Sequence, residues 1–213
     1  MLLLAIDTST PAVCAALHDG ARVLAESTVV DARRHGELLA PAIAAVLAES
    51  RREPAELTAV VVGVGPGPFT GLRVGVVTAI TLGAALDIDV HGICSLDALA
   101  WAAALTSPFA VVTDARRREI YWASYTDSGH RLGLAEVARP GDVAARFDDC
   151  PVVGPGAVLH PFVDARPSVL SAGALAELGA LRIAAGGELL APRPLYLRRP
   201  DATVPGLPKR VLP

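Results

Sequence analysis

Apolar runs of strand length alternate with polar turns along the first thirty residues. Residues 2–6 form a short apolar run, and residues 12–17 form a second one. A third segment, residues 22–30, follows the dipeptide Asp19-Gly20, which is a strong hairpin signal because both residue types suit tight turns. This pattern predicts that the chain opens as a three-stranded antiparallel meander.

The next segments predict helices that alternate with buried strands. Residues 37–50 carry apolar side chains at helical spacing, so they predict an amphipathic helix. Residues 58–64 form a continuous valine-rich run, which is typical of a parallel strand covered on both faces. Residues 72–86 are apolar almost all round, so this helix should be buried on more than one side. A short strand at 90–93 and a helix with Ser95 as its N-cap complete the first half.

The second half repeats the opening pattern. After a polar Thr-Ser-Pro boundary, residues 109–113 form an apolar strand that runs into Asp114, and residues 120–125 alternate like a hairpin partner. Further along, the sequence predicts a loop-rich stretch over 139–167 with one strand at 152–153, a helix over 171–185 and a proline-rich tail over 193–213. We therefore predict two compact halves, residues 1–106 and 107–213, that are weak internal repeats.

Composition places the chain among globular proteins. Hydrophobic residues make up 52% of the 213 positions and charged residues 19%, with a formal net charge of -3. Because a global basic field is missing, any contact with RNA should be local or shared with another chain. The first residues lack the basic region of a signal peptide, and no unbroken apolar run is long enough for a membrane span. Since Cys14, Cys94 and Cys150 are far apart, neither a disulfide framework nor a zinc knuckle is expected, and we expect a cytoplasmic protein.

A glycine-rich loop, Gly-Pro-Gly-Pro-Phe-Thr-Gly-Leu-Arg over residues 65–73, raises the question of phosphate binding. A Walker loop would end in Gly-Lys-Ser/Thr, and this loop ends in Gly-Leu-Arg instead. The glycines also miss the Rossmann spacing by one residue, and the two prolines remove amide donors. We therefore interpret the loop as a structural turn built on Gly65, Gly67 and Gly71, with Thr70 as a candidate helix cap.

Five sequence blocks stand out in a fixed order along the chain. They are Leu4-Ala5-Ile6-Asp7-Thr8-Ser9, His35 at a helix start, the loop at 65–73, Asp114-Ala115-Arg116 before Glu119-Ile120-Tyr121-Trp122, and Pro194-Leu195-Tyr196-Leu197-Arg198. Together these blocks resemble the bacterial TsaB family, also called YeaZ, and the resemblance extends to about Arg199. It implies an α/β fold of the actin, sugar kinase and Hsp70 (ASKHA) type, with two similar subdomains that each have a mixed sheet and flanking helices.

The resemblance also implies a function. Members of the family are non-catalytic partners of TsaD, the related subunit that transfers a threonylcarbamoyl group to the N6 atom of adenosine 37 in tRNAs reading codons that begin with A. An ATPase subunit, TsaE, completes the assembly, and members form homodimers through the surface used for TsaD. The resemblance further implies that this chain binds no cofactor tightly, that ATP and a metal ion belong to the partner subunits, and that tRNA is contacted only through the complex.

The candidate chemical groups agree with a non-catalytic subunit. The five histidines never approach the His-x-x-x-His spacing of a zinc site, so we expect neither a metal site nor a catalytic residue. Asp7, Thr8 and Ser9 keep the outline of the first phosphate turn of this fold, and we interpret them as a degenerate nucleotide site. The second turn, after Asp114, is bulky because arginines stand at 116–118, where close approach to a phosphate would require glycines.

Three further questions stay open from the sequence. The chain could be a small-molecule phosphotransferase of the same fold or, more distantly, a metalloprotease. The arginines at 116–118 form either a solvated hairpin turn or a contact with RNA phosphate or an acidic partner. A homodimeric scaffold without TsaD is also compatible with the sequence.

Two stripes of small residues predict a protein interface. Gly75, Ala79 and Gly83 recur every fourth residue on one helix, and Ala40 and Ala44 form a similar stripe on the helix before it. Each helix therefore has two candidate burial faces, and the two helices could simply pack on each other. Because these helices pair with TsaD in the family that the chain resembles, we predict these five positions as the partner interface. On this prediction, Ala79→Arg abolishes partner binding and leaves the fold intact.

Overall fold

The computed structural model describes residues 1–198, so most of the predicted proline-rich tail lies outside the described residues. The strands are β1 (Leu3–Asp7), β2 (Ala12–His18), β3 (Val23–Val30), β4 (Ala59–Gly63), β5 (Asp89–Ile93), β6 (Phe109–Arg116), β7 (Glu119–Asp127), β8 (His130–Ala138), β9 (Val152–Val153) and β10 (Ala165–Arg166). The helices are α1 (His35–Ser50), α2 (Phe69–Leu86), α3 (Ser95–Ala103), α4 (Pro140–Val143) and α5 (Ala172–Ala184). Short 3-10 segments lie at Pro54–Glu56, Ala144–Phe147 and Pro155–Leu159.

The strands form two mixed sheets with the same topology. The first sheet has the order β3-β2-β1-β4-β5, and the second has the order β8-β7-β6-β9-β10. In each sheet the first strand along the chain pairs antiparallel with the next one and parallel with the fourth. This repeat confirms the predicted α/β fold with two similar subdomains on mixed sheets.

The first sheet is covered on both faces, which explains its continuous apolar strands. Along β1, Leu4 and Ile6 face the side covered by α1 and α2, whereas Leu3 and Ala5 face the side covered by α3 and α5. All four side chains are fully buried, and burying each larger one contributes about 1.5–3 kcal/mol. Alternation of apolar and polar residues is absent along β1 because neither of its faces is open to water.

The helix α5 crosses back from the second half of the chain to the first. It packs against β1, β2, β3 and β4, and also against α3. The predicted boundary at residue 106 therefore separates the two sheets, but it does not separate the helices that cover them. The space between the two sheets is filled by a shared hydrophobic core, which includes Phe109 and Tyr125 of the second sheet and Leu175 of α5.

Two predicted helix caps are wrong. The N-cap of α2 is Pro68, so Thr70 lies in the first turn and its side chain makes no cap hydrogen bond. The N-cap of α3 is Cys94, and Ser95 is the first helical residue. Ser95 is not free to cap because its hydroxyl is hydrogen-bonded to the carboxylate of Asp7. The strand β8 and the two-residue strand β10 were not predicted, since β8 is largely exposed and contains a glycine with positive φ.

Length and composition alone would allow α2 to cross a bilayer. Its 18 residues have a mean hydropathy of 1.6, and 33% of them are buried. Core helices of globular proteins pass the same test, and one side of α2 packs on β1, β4 and β5. The helix therefore has a buried inner side and an apolar side that faces outward.

Candidate functional site

The carboxylate of Asp7, at the end of β1, lies at the centre of a buried polar turn. One oxygen accepts the amide of Ser9 at 2.6 Å, and the other accepts the hydroxyl of Ser95 at 2.5 Å. The oxygen of Ser95 in turn accepts the amide of Gly65 at 3.1 Å, which ties the glycine-rich loop to the same turn. Asp7 has no exposed surface, and its burial raises the pKa of the carboxyl above the usual value.

The side chain of Thr8 fastens the start of α2 to this turn. Its hydroxyl donates to the carbonyl of Gly71 at 2.7 Å and accepts the amide of Gly75 at 2.8 Å. A Cβ atom at Gly67 would lie 2.2 Å from the carbonyl oxygen of Ser9, and one at Gly71 would lie 2.7 Å from that of Thr8. The loop glycines thus permit a close approach between the backbone of the loop and the backbone of the turn, because a side chain at either position would collide with it.

Four of the five sequence blocks meet around one groove of about 300 Å³ between the turn and the start of both helices. The groove is lined in part by Thr8, His35, Phe69, Gly71 and Arg116. His35 begins α1, and its Nε2 donates to the carbonyl of Thr10 at 2.8 Å. The fifth block joins them because the ring of Tyr196 stacks on that of Phe69, with centroids 5.0 Å apart.

The predicted nucleotide residues are brought together, but their polar atoms serve the fold. Asp7, Thr8 and Ser9 are each exposed by 1% or less, and the glycine-rich loop covers them. A carboxylate that positions magnesium must face the nucleotide, and Asp7 faces Ser95 instead. The hydroxyl of Ser9 is buried without a hydrogen-bond partner in the described part of the chain. This geometry disfavours the phosphotransferase alternative.

Replacing Asp7 with asparagine is expected to raise the thermal midpoint at pH 7. The folded pKa of Asp7 lies above its unfolded value, because burial disfavours the charged form. Protonated Asp7 therefore makes its full contribution to the free energy of unfolding below the unfolded pKa of about 3.9. This contribution is lost as the pH rises through the folded pKa. The gap between Asp7→Asn and wild type should widen over that interval in thermal unfolding at a series of pH values.

The control for this experiment is Asp31→Asn. The pKa of Asp31 is lowered by hydrogen bonds, first from the backbone of Arg33, and its side chain is partly exposed. Its replacement should not raise the midpoint at pH 7. Parallel curves for wild type and Asp7→Asn across the whole pH range would show that Asp7 carries no burial penalty.

No three histidine, cysteine, aspartate or glutamate side chains within residues 1–198 lie close enough to share a metal ion. All three cysteines are free thiols. Cys14 and Cys94 are buried, and burial raises the pKa of the Cys94 thiol to about 11. Both thiols are therefore protonated at neutral pH and behave as small core residues.

Three of the five predicted interface positions are buried inside the chain, which corrects that prediction. Gly75, Ala79 and Gly83 face inward, and the side chain of Ala79 has no exposed surface. A Cβ atom at Gly83 would lie 2.2 Å from a methyl group of Val90 on β5. The small-residue stripe of α2 thus lets the helix approach its own sheet closely. A partner cannot reach it, and Ala79→Arg can no longer be expected to leave the fold intact.

The other two predicted positions, Ala40 and Ala44, are exposed on α1. The exposed side of α2 lies opposite its glycine stripe and carries Val77 and Ile80, which are 59% and 45% exposed. We use the name outer face for six of the exposed apolar residues of the two helices, which share one side of the pair. The outer face consists of Ala40, Ala44 and Ala48 on α1 and Val77, Ile80 and Ala84 on α2. Because α1 and α2 contact each other on the same side of the first sheet, these residues offer an apolar surface without a partner in the described chain.

A buried charge cluster around Asp97 was missed by the sequence interpretation. Its carboxylate accepts the hydroxyl of Tyr125 at 2.9 Å, and it pairs with Arg131 at 3.1 Å and Arg182 at 3.2 Å. These partners come from β7, β8 and α5, so Asp97 on α3 joins the two halves of the chain. Only the opposite charge of distant arginines could have indicated this cluster, and the sequence does not show which ones meet.

Comparison with known proteins shows which families and relatives this chain is similar to. The family model described as TsaD, tRNA N6-adenosine threonylcarbamoyltransferase, matches residues 22–149. An uncharacterized protein of Mycobacterium tuberculosis is 45% identical over 205 residues, which cover 94% of this chain and 93% of that protein. The tRNA threonylcarbamoyladenosine biosynthesis protein TsaB of Bacillus subtilis is 35% identical over 144 residues, covering 66% of this chain and 60% of the relative.

Solved YeaZ structures superimpose on nearly the whole chain. A crystal structure from Pseudomonas aeruginosa, described as an uncharacterized protein with similarity to peptidase YeaZ, superimposes with a TM-score of 0.78. Its sequence is 30% identical, and the match covers 92% of this chain and 99% of that one. The repeated sheets, the grouped sequence blocks and these matches lead to one conclusion: the chain belongs to the TsaB family, also known as YeaZ.

Proposed function

We propose that this chain is the non-catalytic subunit that binds TsaD and supports formation of N6-threonylcarbamoyladenosine at position 37 of tRNAs reading codons that begin with A. It acts in the cytoplasm, forms a homodimer when alone, and joins TsaE in the larger assembly. ATP and a metal ion are used by the partner subunits. Family membership supports the pathway, because relatives carry the description tRNA threonylcarbamoyladenosine biosynthesis protein.

The outer face is the observation that carries the scaffold role. Both helices present apolar side chains to solvent, and Val77 and Ile80 are too exposed to contribute much to the chain's own core. The small side chains of Ala40 and Ala44 leave room for a partner helix to approach. Such a surface on two adjacent helices suits a shared helical bundle with a related subunit.

The buried turn after β1, which contains Asp7 and Thr8, supports a role without phosphate transfer. A kinase of this fold needs an accessible carboxylate at the position of Asp7, and here the carboxylate is covered by the glycine-rich loop. The hydroxyl of Thr8 holds α2, which carries half of the outer face. The turn that contains Asp7, Thr8 and Ser9 thus positions an interface helix.

Co-elution with the TsaD of the same organism, followed by a tRNA modification assay, tests the proposed function. Ala44→Arg and Ile80→Arg should each weaken the complex about 100-fold or more, because a charged side chain is placed at the centre of an apolar interface. Modification activity of the mixture should fall in parallel. The isolated variants should keep the wild-type thermal midpoint, since both positions are exposed.

The matched control is Leu134→Arg. Leu134 is 80% exposed on β8, outside the outer face, and its replacement adds the same charge to another apolar surface position. It should leave co-elution unchanged. Wild-type binding of TsaD by folded Ala44→Arg and Ile80→Arg would remove the outer face from the interface, and ATP turnover by the isolated chain would favour the phosphotransferase.

A further inference from the structure

The turn between β6 and β7 holds three consecutive arginines in left-handed backbone conformations. Arg116, Arg117 and Arg118 have φ angles of 63°, 56° and 65°. The last two are the central residues of a two-residue hairpin loop that is closed by the pairing of Arg116 with Glu119. Asn-Gly is preferred at such positions because a side chain disfavours positive φ. The chain therefore keeps arginines where other residues would be more stable, which is typical of a functional site.

A groove of about 700 Å³ lies beside this turn. Residues 116–118 and Arg139 line it, together with the carboxylates of Asp114, Glu119 and Asp142. Two of these carboxylates already have partners. Asp114 pairs with Arg116 at 3.1 Å, and Glu119 pairs with an arginine from the end of the described chain, Arg198. Arginines outnumber carboxylates here although the whole chain carries a net charge of -3.

Two of the groove arginines are available to a ligand. The side chains of Arg118 and Arg139 are exposed and make neither a hydrogen bond nor an ion pair within residues 1–198. Arg116 also lines the smaller groove at the start of α1 and α2, where Arg33 stands. The basic lining therefore continues from Arg139 across the turn to Arg33. An extended row of guanidinium groups matches a polymer with regularly spaced phosphates.

A protein partner fits this surface less well than RNA does. Stable protein interfaces have an apolar core, and Leu159 is the only large aliphatic side chain among the residues that line the larger groove. The apolar surface of the molecule lies on the outer face of α1 and α2 instead. We propose that the arginine turn and its groove bind the phosphodiester backbone of the tRNA. This inference rests on the proposed function and adds the surface of the chain that touches the substrate.

The contact should position the tRNA without reading its sequence, because phosphates carry no base identity. Arg118→Gly is the sharpest test, since glycine adopts the positive φ of this position without strain. The variant should raise the thermal midpoint of the isolated chain and, in the complex with TsaD, lower tRNA affinity about 3- to 10-fold. The slope of log K against log salt should fall by about 0.7–0.9, as expected for one lost phosphate contact. Arg139→Ala should lower tRNA affinity and the slope by similar amounts.

Arg51→Gly is the matched control. Arg51 is an exposed arginine at the end of α1 with a φ of 54°, so its replacement removes the same charge and relieves the same strain. It should raise the midpoint and leave tRNA affinity unchanged. Binding is measured by fluorescence anisotropy of unmodified tRNA with the TsaD complex, and nucleotide binding is measured with ATP alone.

The outcomes separate this inference from the proposed function. Wild-type tRNA affinity in complexes of Arg118→Gly and Arg139→Ala would overturn the inference while the scaffold role stands. Loss of ATP binding with unchanged tRNA affinity would assign the groove to a nucleotide, and loss of co-elution with TsaD would assign it to a protein; both overturn the inference. If wild type itself does not bind TsaD, the proposed function fails first, and the tRNA assignment fails with it.

Discussion

Ala79→Arg is expected to unfold the chain. Ala79 has no exposed surface and lies in the core between α2 and the first sheet. An arginine there would bury a charge without a partner and overfill a close helix-to-sheet contact, which costs about 4 kcal/mol or more. Because domains of this size are stable by only about 5–15 kcal/mol, the variant should show little soluble protein or a strongly lowered midpoint in urea unfolding.

The comparison that isolates burial is Ala84→Arg on the same helix. Ala84 is exposed on the outer face, so the same substitution should change the free energy of unfolding by no more than about 0.5 kcal/mol. The two variants differ in the side of α2 that they alter. Equal stabilities would mean that the glycine stripe of α2 does not face the sheet.

Asp97→Ala is expected to destabilise the chain by about 3 kcal/mol. The substitution leaves the guanidinium groups of Arg131 and Arg182 without their shared carboxylate, although both side chains are mostly buried. It also removes the acceptor of the hydroxyl of Tyr125, whose ring is 1% exposed. Removing one partner of a buried ion pair costs about 3–5 kcal/mol, and partial exposure of the arginines places the loss at the lower end.

Urea unfolding of Asp164→Ala gives the reference for an exposed pair. Asp164 and Arg166 are 2.7 Å apart, but about half of each side chain is exposed, so their loss should cost less than about 1 kcal/mol. Asp97→Asn should lie between the two alanine variants because it keeps an acceptor for Tyr125. A midpoint for Asp97→Ala that equals that of Asp164→Ala would show that the cluster does not hold the halves together.

The hydrophobic pattern was sufficient to predict most of the elements. The helix α1 follows from apolar spacing, and α2 follows from an apolar run of helical length. The strands β1, β4 and β6 follow from shorter continuous runs, since burial on both faces leaves a strong signal. The strand β8 leaves a weak signal because most of its side chains are exposed, so its pairing with β7 decides its conformation. The repeated topology of the two halves could be predicted because each half begins with an apolar strand that runs into an aspartate, Asp7 or Asp114.

The candidate site was predictable only in part. The blocks that meet at the groove were identified from residue types, but the orientation of each helix was not, because a stripe of small residues suits both a partner helix and the chain's own sheet. The contact of Gly75 with Thr8 decides this question, and it joins residues 67 positions apart. For the same reason, Ser95 was interpreted as a cap, although its hydroxyl is bound by a carboxylate 88 positions away.

The return of α5 to the first sheet has a consequence for synthesis. Residues 1–106 leave the ribosome first, and their sheet can form early, but the face toward α5 is not fully covered until residue 184 has been translated. The apolar strands of that face are then exposed to other nascent chains, which favours aggregation. The half of the polypeptide that is synthesised first therefore completes its hydrophobic core last. A fragment that ends at residue 106 should require a chaperone to stay in solution.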